Sequence, residues 1–301
     1  MARKPNNVHG VLLVDKDAGM TSNHVLQRAK RLLGATKGGH TGALDPLATG
    51  VLPLCFGDAT KYSQYMLDAD KAYETRAQLG VRTDTADADG AVIEQAAVPE
   101  LSADAITQLL STDFLGALTQ TPPAYSALKH QGKKLYELAR EGKAIPDKTR
   151  TIRILDNRLV AQGEDWLDIW LKCTKGTYVR SFVEDVAAAL GTVAHVARLR
   201  RLQHGNFDIA QCVSLEQFEA MTPEERQAQL LPVDACITAL PIYALNEHQF
   251  AAVKHGIKVP VEPEVDTGEV RIYRKEQFIG LGEITPEHEL KSRRLVQTDL
   301  L

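Results

Sequence analysis

The stretch Gly39-His40-Thr41-Gly42-Ala43-Leu44-Asp45-Pro46-Leu47-Ala48-Thr49-Gly50 sets one carboxylate, Asp45, among small and apolar residues. Pro46 disfavours the α region for the residue before it and holds Asp45 in an extended presentation. A lone acid on a stiff loop in apolar surroundings suits a nucleophile or a general base. The alternative is a turn aspartate that caps a local backbone N–H. The loop lacks the GxxxxGK[ST] order of a phosphate cradle, which argues against an NTPase.

On the N-terminal side, Val8 to Val14 is rich in Val and Leu, as a buried strand would be, and Gly19 breaks it. Thr21 or Ser22 can cap a helix whose apolar face is Val25, Ala29, Leu32 and Leu33 and which stops at Gly34. Residues 37–62 carry five Gly and two Pro, a loop feeding a strand over Val51–Phe56 and a helix from near Asp58. Further on, strands are predicted at Lys71–Gly80, Thr151–Val160, Trp166–Cys173, Gly268–Tyr273 and Gln277–Ile284. An Asp- and Thr-rich loop over 81–95 leads into a further short strand. Helices are predicted at Ser102–Thr112, Lys133–Arg140 (basic), Ser181–Leu190, Ser214–Gln229 (acidic) and Asn246–His255. Leu231-Pro232-Val233-Asp234 reads as a linker, and the last 65 or so residues suit a small β-rich appended domain.

At 301 residues, 44% hydrophobic and 25% charged, the chain has the composition of a globular protein of one large or two ordinary domains. The net charge of −4 excludes a polybasic protein, but it is a cancellation. Residues 1–40 hold seven Lys or Arg against two Asp, 129–158 hold nine against four, and 172–204 hold six against two. Residues 80–120 hold one Arg against seven acids. Converging basic segments would make a patch able to neutralise several phosphates; scattered, they are solvated faces. The four cysteines are far apart, with no CxxC, which speaks against a zinc knuckle or a disulfide framework. The basic opening runs into an apolar stretch too short for a signal peptide, and no run of 18 apolar residues occurs, so a cytoplasmic protein without a membrane span is expected.

A second segment, Lys172-Cys173-Thr174-Lys175-Gly176-Thr177-Tyr178-Val179-Arg180-Ser181, spaces Tyr178 and Arg180 two apart, on one face if the backbone is extended. An Arg at the mouth of a helix can form a bidentate pair with a carboxylate; if that is Asp45, its charged form is favoured. A surface Arg and a half-buried Tyr are the plainer reading.

Together these segments resemble the TruB family of tRNA pseudouridine synthases. GGHTGALDPLATGVLPLCFGDATK is similar to the family's central motif, and GVLLVDKDAGMTS, KAYETRAQLGVRTDTADADG, CTKGTYVRSFVEDVAAALG and AHVARLRRLQHGNF follow in the family's order. The tail IYRKEQFIGLGEI, ending in RRLV, resembles the PUA-type RNA-binding domain of bacterial members. One departure is Asp17, where the family usually has Pro; it leaves Lys16 and Thr21-Ser22 in place and bears on loop stiffness.

The resemblance implies an α+β pseudouridine synthase fold, with a mixed, mainly antiparallel central sheet flanked by helices. It places a catalytic domain at 1–235 and a small β-rich PUA-type domain at 236–301. The implied activity is isomerisation of the T-loop uridine at position 55 of tRNA to its C-glycoside, with base flipping and without cofactor or metal. Asp45 matches the catalytic aspartate, with attack on C1′, attack on the base, or a glycal route left open. Tyr73 matches the tyrosine that stacks on the target base, and Arg180 the arginine that pairs with the aspartate. Tyr178 and Leu199 match pocket-lining positions, and His40 the histidine that packs into the opened T-loop. Arg28, Lys30, Arg31, Lys133, Lys134, Arg198, Arg200 and Arg201 are candidate phosphate contacts. The expected partner is the tRNA T-stem-loop, with no obligate protein partner and a monomeric state. A tRNA-binding or folding module without catalysis is the competing reading.

Overall fold

A computed structural model describes residues 8–123, 129–130, 133–134 and 149–297. In chain order its elements begin with β1 (Gly10–Lys16), α1 (Ser22–Leu33), β2 (Gly38–His40), β3 (Thr49–Phe56), α2 (Ser63–Asp68), β4 (Lys71–Leu79), β5 (Val81–Thr83) and β6 (Val92–Gln95). Then come α3 (Ala103–Thr112), β7 (Gly116–Gln120), β8 (Lys129–His130), β9 (Lys133–Lys134), β10 (Arg150–Gln162), β11 (Trp166–Cys173), α4 (Val179–Ala189) and β12 (Ala194–His204). After β13 (Phe207–Asp208), β14 (Val213–Ser214), α5 (Leu215–Ala220) and α6 (Pro223–Ala228), the C-terminal unit holds β15 (Ile242–Ala244), α7 (Glu247–Val253), β16 (Val259–Pro260), β17 (Gly268–Arg274), β18 (Gln277–Ile284) and β19 (Glu289–Leu295).

Among the described residues, one mixed sheet runs β14-β1-β3-β12-β4-β11-β10-β7, with β2 beside β3 and β13 beside β12. Its pairings are antiparallel except β1 with β14 and β12 with β3. This is the α+β architecture expected, and the C-terminal unit is a separate five-stranded sheet, β15-β17-β18-β19-β16.

β1 reads as an unbroken apolar run because both of its faces are buried. Leu12 and Val14 join the core under α1, α3 and α4, while Val11 and Leu13 join a second cluster on the opposite face. That second cluster includes Val51, Cys55, Tyr62, Met66, Ala235–Ile237 and Leu281, so it seats the C-terminal sheet against the first. Buried carboxylates fix the seat. Asp58 pairs with Lys61 at 2.7 Å and accepts from the Gln297 N–H at 2.7 Å. Asp234 pairs with Arg271 at 3.0 Å and accepts from the Tyr273 hydroxyl at 2.6 Å. The stretch predicted as a linker is therefore packed structure.

α1 forms where predicted. The Thr21 hydroxyl accepts from the His24 N–H at 3.1 Å, Gly34 ends the helix at φ +67°, and Val25, Ala29 and Leu33 face the core. Two expectations are corrected, and one strand was not foreseen. Lys133–Lys134 is a strand paired with Lys129–His130, not the start of a helix, and the rest of that predicted helix lies outside the described residues. The acidic stretch from Ser214 is two short helices rather than one, because Met221 is extended and Thr222 begins a new capping box with Glu225. β12, for which no strand was predicted, lies at the middle of the sheet. Register shifts against β4 near Ala197 and Leu202 break its alternation, so its apolar residues do not recur at every second position.

Candidate active site

The loop between Thr41 and Thr49 is tied down at alternate residues. Arg201 Nη2 donates to the Gly42 carbonyl at 3.3 Å. The buried Ser22 hydroxyl donates to the Leu44 carbonyl at 3.0 Å and accepts from the Leu44 N–H at 2.8 Å. The Pro46 carbonyl accepts from the Gly19 N–H at 2.8 Å and from Lys16 Nζ at 3.2 Å. Lys16 is fully buried and also donates to the carbonyls of Asp17 (2.8 Å) and Met20 (2.7 Å). Burial lowers its pKa to about 8, against the opposing pull of Asp17 and Asp45. Gly50, at φ +104°, closes the loop where a Cβ would stand 2.1 Å from the Arg201 carbonyl oxygen, so only glycine fits. With residues 42, 44 and 46 anchored, Asp45 has little freedom to move.

Asp45 projects into a cavity of about 110 Å³ lined by Ala43, Leu44, Asp45, Tyr73, Thr177, Tyr178, Val179, Arg180 and Leu199. Asp45, Tyr73, Tyr178, Arg180 and Leu199, widely spread in sequence, thus meet around one hollow. Tyr73 arrives on β4, where Tyr73, Thr75 and Ala77 share a face. Leu199 sits opposite Thr75 across the β12–β4 pairing, on that same face. Tyr178 precedes α4; its N–H donates to Gln120 at 2.7 Å and its carbonyl accepts from Gln120 at 2.9 Å. The expected extended spacing of Tyr178 and Arg180 does not occur, because Arg180 is already inside α4.

Arg180 is 4% exposed, and its Nη2 lies 3.1 Å from the Asp45 carboxylate. Its Nη1 donates to the Thr85 carbonyl at 2.8 Å and lies 3.6 Å from Asp87. The guanidinium is thus shared between Asp45 in front and the Thr85–Asp87 turn behind. Asp87 is in turn fixed by the Thr85 hydroxyl at 2.6 Å and the Asp89 N–H at 3.2 Å. The Asp45 side chain keeps 43% of its surface open towards the cavity, yet protein packs closely around it. Burial raises its pKa from the ordinary aspartate value; Arg180 opposes the rise and Asp87 adds to it. The expected favouring of the charged form by Arg180 is present but outweighed. Burial also raises the pKa of the Tyr73 hydroxyl.

His40 lies on β2, paired with Leu54, and does not line the cavity. Burial and the nearby Arg201 charge lower its pKa, which keeps the ring neutral at pH 7. A groove of about 450 Å³ adjoins the cavity at Leu199 and carries Arg76, Arg198 and Arg200 with Leu47, Thr49 and Asp168. Arg198 is open to solvent at 3.5 Å from Asp168, while Arg200 pairs with Asp15 at 2.7 Å. Arg28 pairs with Glu219 at 2.9 Å, and Lys30 and Arg31 follow it on α1, half-buried and exposed. Arg201 is corrected: at 2% exposed it is an interior residue and offers no surface to a phosphate. The side chains of Lys133 and Lys134 lie outside the described residues. Of the supports, Arg201 was expected to meet a phosphate and Ser22 to cap a helix, Lys16 was noted only as part of its motif, and Asp87 was not singled out; none was expected to hold the Asp45 loop.

Residues 30–179 match the description "TruB family pseudouridylate synthase (N terminal domain)". Residues 180–238 match "tRNA pseudouridylate synthase B C-terminal domain", and 241–296 match "Pseudouridine synthase II TruB, C-terminal". The chain is 43% identical over 298 residues to tRNA pseudouridine synthase B of Chromohalobacter salexigens, covering 98% of this chain and 97% of the relative. It is 45% identical over 304 residues to the protein of that name from Stutzerimonas stutzeri, covering 99% and 98%. In fold it is similar to a chain in the structure of an H/ACA RNP bound to a substrate RNA containing 2′-deoxyuridine. That match has a TM-score of 0.72 and 22% identity, covering 96% of this chain and 85% of the other.

Proposed function

The chain belongs to the TruB family of tRNA pseudouridine synthases, and we propose that it isomerises the T-loop uridine at position 55 of tRNA, with Asp45 as the single catalytic acid. The observation that carries this reading is the meeting of Asp45, Tyr73, Tyr178, Arg180 and Leu199 around one cavity. The reaction breaks N1–C1′, turns the base and joins C5 to C1′. The C5 proton is lost and N1 gains one, so atoms and electrons balance without a redox partner.

Each residue has a part in that sequence. Arg180, clamped by Thr85 and Asp87, holds the Asp45 carboxylate at 3.1 Å and supports its ionised form. The raised pKa of Asp45 makes its carboxylate a better base or nucleophile than a solvated one. Tyr73 stacks on the extruded base and takes the C5 proton, and Tyr178 and Leu199 close the sides. The cavity lies within the fold, so the uridine must leave its stack to enter, at a cost of about a few kcal/mol. Neutral His40 fills the space in the T-loop. Arg31, Arg198 and neighbouring cations meet phosphates and offset that cost. Residues 1–235 form the catalytic domain and 236–301 a PUA-type RNA-binding domain. The protein acts as a cytoplasmic monomer without an obligate protein partner; among the described residues, no helix is long and apolar enough to cross a membrane.

The test is release of tritium from tRNA carrying tritiated C5 uridine. Wild-type protein releases label and Asp45→Asn does not, while both bind the RNA. Release that survives Asp45→Asn removes that residue from the chemistry, and an inert wild type removes the reaction.

A further inference from the structure

Arg201 carries a charge in the interior, and among the described residues no carboxylate forms an ion pair with it. An unmatched buried charge is costly, by several kcal/mol on the order given by desolvation, so its surroundings are informative. On β12 it is the register partner of Tyr73 on β4 and of Gly50 on β3. Cross-strand partners share a face, which aims the Arg201 side chain at the Tyr73 side of the sheet. Its Nε donates to the Val51 carbonyl at 2.7 Å and its Nη2 to the Gly42 carbonyl at 3.3 Å. One side chain therefore holds both ends of the loop that carries Asp45. Its guanidinium faces the Tyr73 hydroxyl and pulls that pKa back down against burial. The same charge lowers the pKa of His40, Lys16 and His204, so those neighbours lean towards their neutral forms around it.

We propose that Arg201 is a positioning residue of the isomerase: it fixes the Asp45 loop and the Tyr73 hydroxyl relative to each other across the uridine cavity. The inference rests on the assignment of Asp45 and Tyr73 to that cavity. Two of its donors go to the Gly42 and Val51 carbonyls and, among the described residues, none of its charge is spent on a carboxylate ion pair, so it is available to negative charge developing at the Tyr73 oxygen, in a site where water does not screen it. A lysine at 201 keeps the charge and loses the fork that spans Gly42 and Val51.

The test compares Arg201→Met, Arg201→Lys, Tyr73→Phe and the double variant Arg201→Met/Tyr73→Phe. Tritium release gives kcat and KM, and binding of unmodified tRNA gives Kd. In Arg201→Met, kcat falls on the order of 10²-fold, the loss typical of about 1 Å of misplacement, while Kd stays within about threefold because Arg201 meets no solvent. Arg201→Lys recovers part of the rate. The losses from Arg201→Met and Tyr73→Phe are not additive in the double variant. In the free protein at neutral pH, ¹³Cζ-tyrosine labelling resolves the Tyr73 resonance, assigned by its disappearance in Tyr73→Phe from among the chain's eight tyrosines. That resonance shifts in Arg201→Met, and far-UV circular dichroism verifies folding. If Arg201→Met does not fold, Arg201→Lys carries the same comparisons.

Additive losses, or an unmoved Tyr73 resonance in a folded variant, overturn the assignment. The two failures are separable. A wild type that releases no tritium refutes the reaction, whereas release by the wild type with an unmoved Tyr73 resonance in Arg201→Met refutes only the role of Arg201.

Discussion

Replacing Ser22 by alanine tests whether the rigidity of the Asp45 loop is built by its anchors. Ser22 is 3% exposed, and its hydroxyl both donates to and accepts from the Leu44 backbone, one residue before the carboxylate. Truncation leaves a buried N–H and a buried carbonyl without that partner. Each unsatisfied group costs about 1–3 kcal/mol, with water entry reducing the sum, so a net loss of about 1–3 kcal/mol is expected. Alanine at the first position of α1 returns a few tenths of a kcal/mol of helix propensity, too little to reverse the sign. A loss of that size lowers Tm by roughly 2–5 °C at this chain length. The kinetic effect is separate: freed at Leu44, the carboxylate samples positions on the order of 1 Å away, and kcat falls about 10²-fold. KM for tRNA changes little, since Ser22 lies beneath the loop. Thermal unfolding followed by circular dichroism and tritium release measure the two quantities. A variant that loses stability but keeps wild-type kcat refutes the anchoring argument, and one that keeps its Tm refutes the accounting of buried polar groups.

Three further outcomes are expected. Asp45→Asn raises Tm at neutral pH: burial lifts the folded-state pKa of Asp45 above the ordinary value of 3.8, so the native state binds the proton more tightly and loses stability as pH rises through that range. The gain therefore shrinks to nothing below pH 3.8, and a gain independent of pH contradicts burial as its cause. Gly50→Ala gives an insoluble or strongly destabilised protein, because φ is +104° and the added Cβ meets the Arg201 carbonyl at 2.1 Å; a soluble variant with wild-type melting would show that the approach is relieved cheaply. Affinity for tRNA falls linearly in log–log form with added salt, measured by filter binding from 50 to 200 mM, and a flat response would remove phosphate contacts from the interface.

The elements that read clearly were those whose local pattern and tertiary environment agree. α1 has a cap, an apolar stripe and a glycine stop, and β11 over Trp166–Cys173 has the bounds that its sequence suggested. β12 did not read as a strand because two register shifts rotate its side chains, and those same shifts turn Leu199 and Arg201 towards Tyr73. The site was legible through residue types and motif order, which drew attention to Asp45, Tyr73, Tyr178, Arg180 and Leu199. The supporting role of its neighbours was not. Ser22 is one of many serines, and its role depends on a contact 22 residues away that no local periodicity encodes.

Regional charge shows the same limit in energetic form. Counting cations by segment treated Lys16, Arg180 and Arg201 as part of an RNA-facing surface, yet all three are buried and work on the protein's own carbonyls and carboxylates. Arg28 and Arg200 face solvent but already hold Glu219 and Asp15. A phosphate that displaces such a carboxylate releases fewer counterions than one meeting a bare cation, because the protein's own acid has taken their place. The slope of log affinity against log salt should then fall short of the number of Lys and Arg in the basic segments. It should track the more open cations, among them Arg31, Lys37, Arg153 and Arg198. Removing the acid partner tests this directly: Asp15→Asn frees Arg200, so binding tightens at low salt and the slope steepens by about one unit. An unchanged slope would place Arg200 outside the RNA footprint.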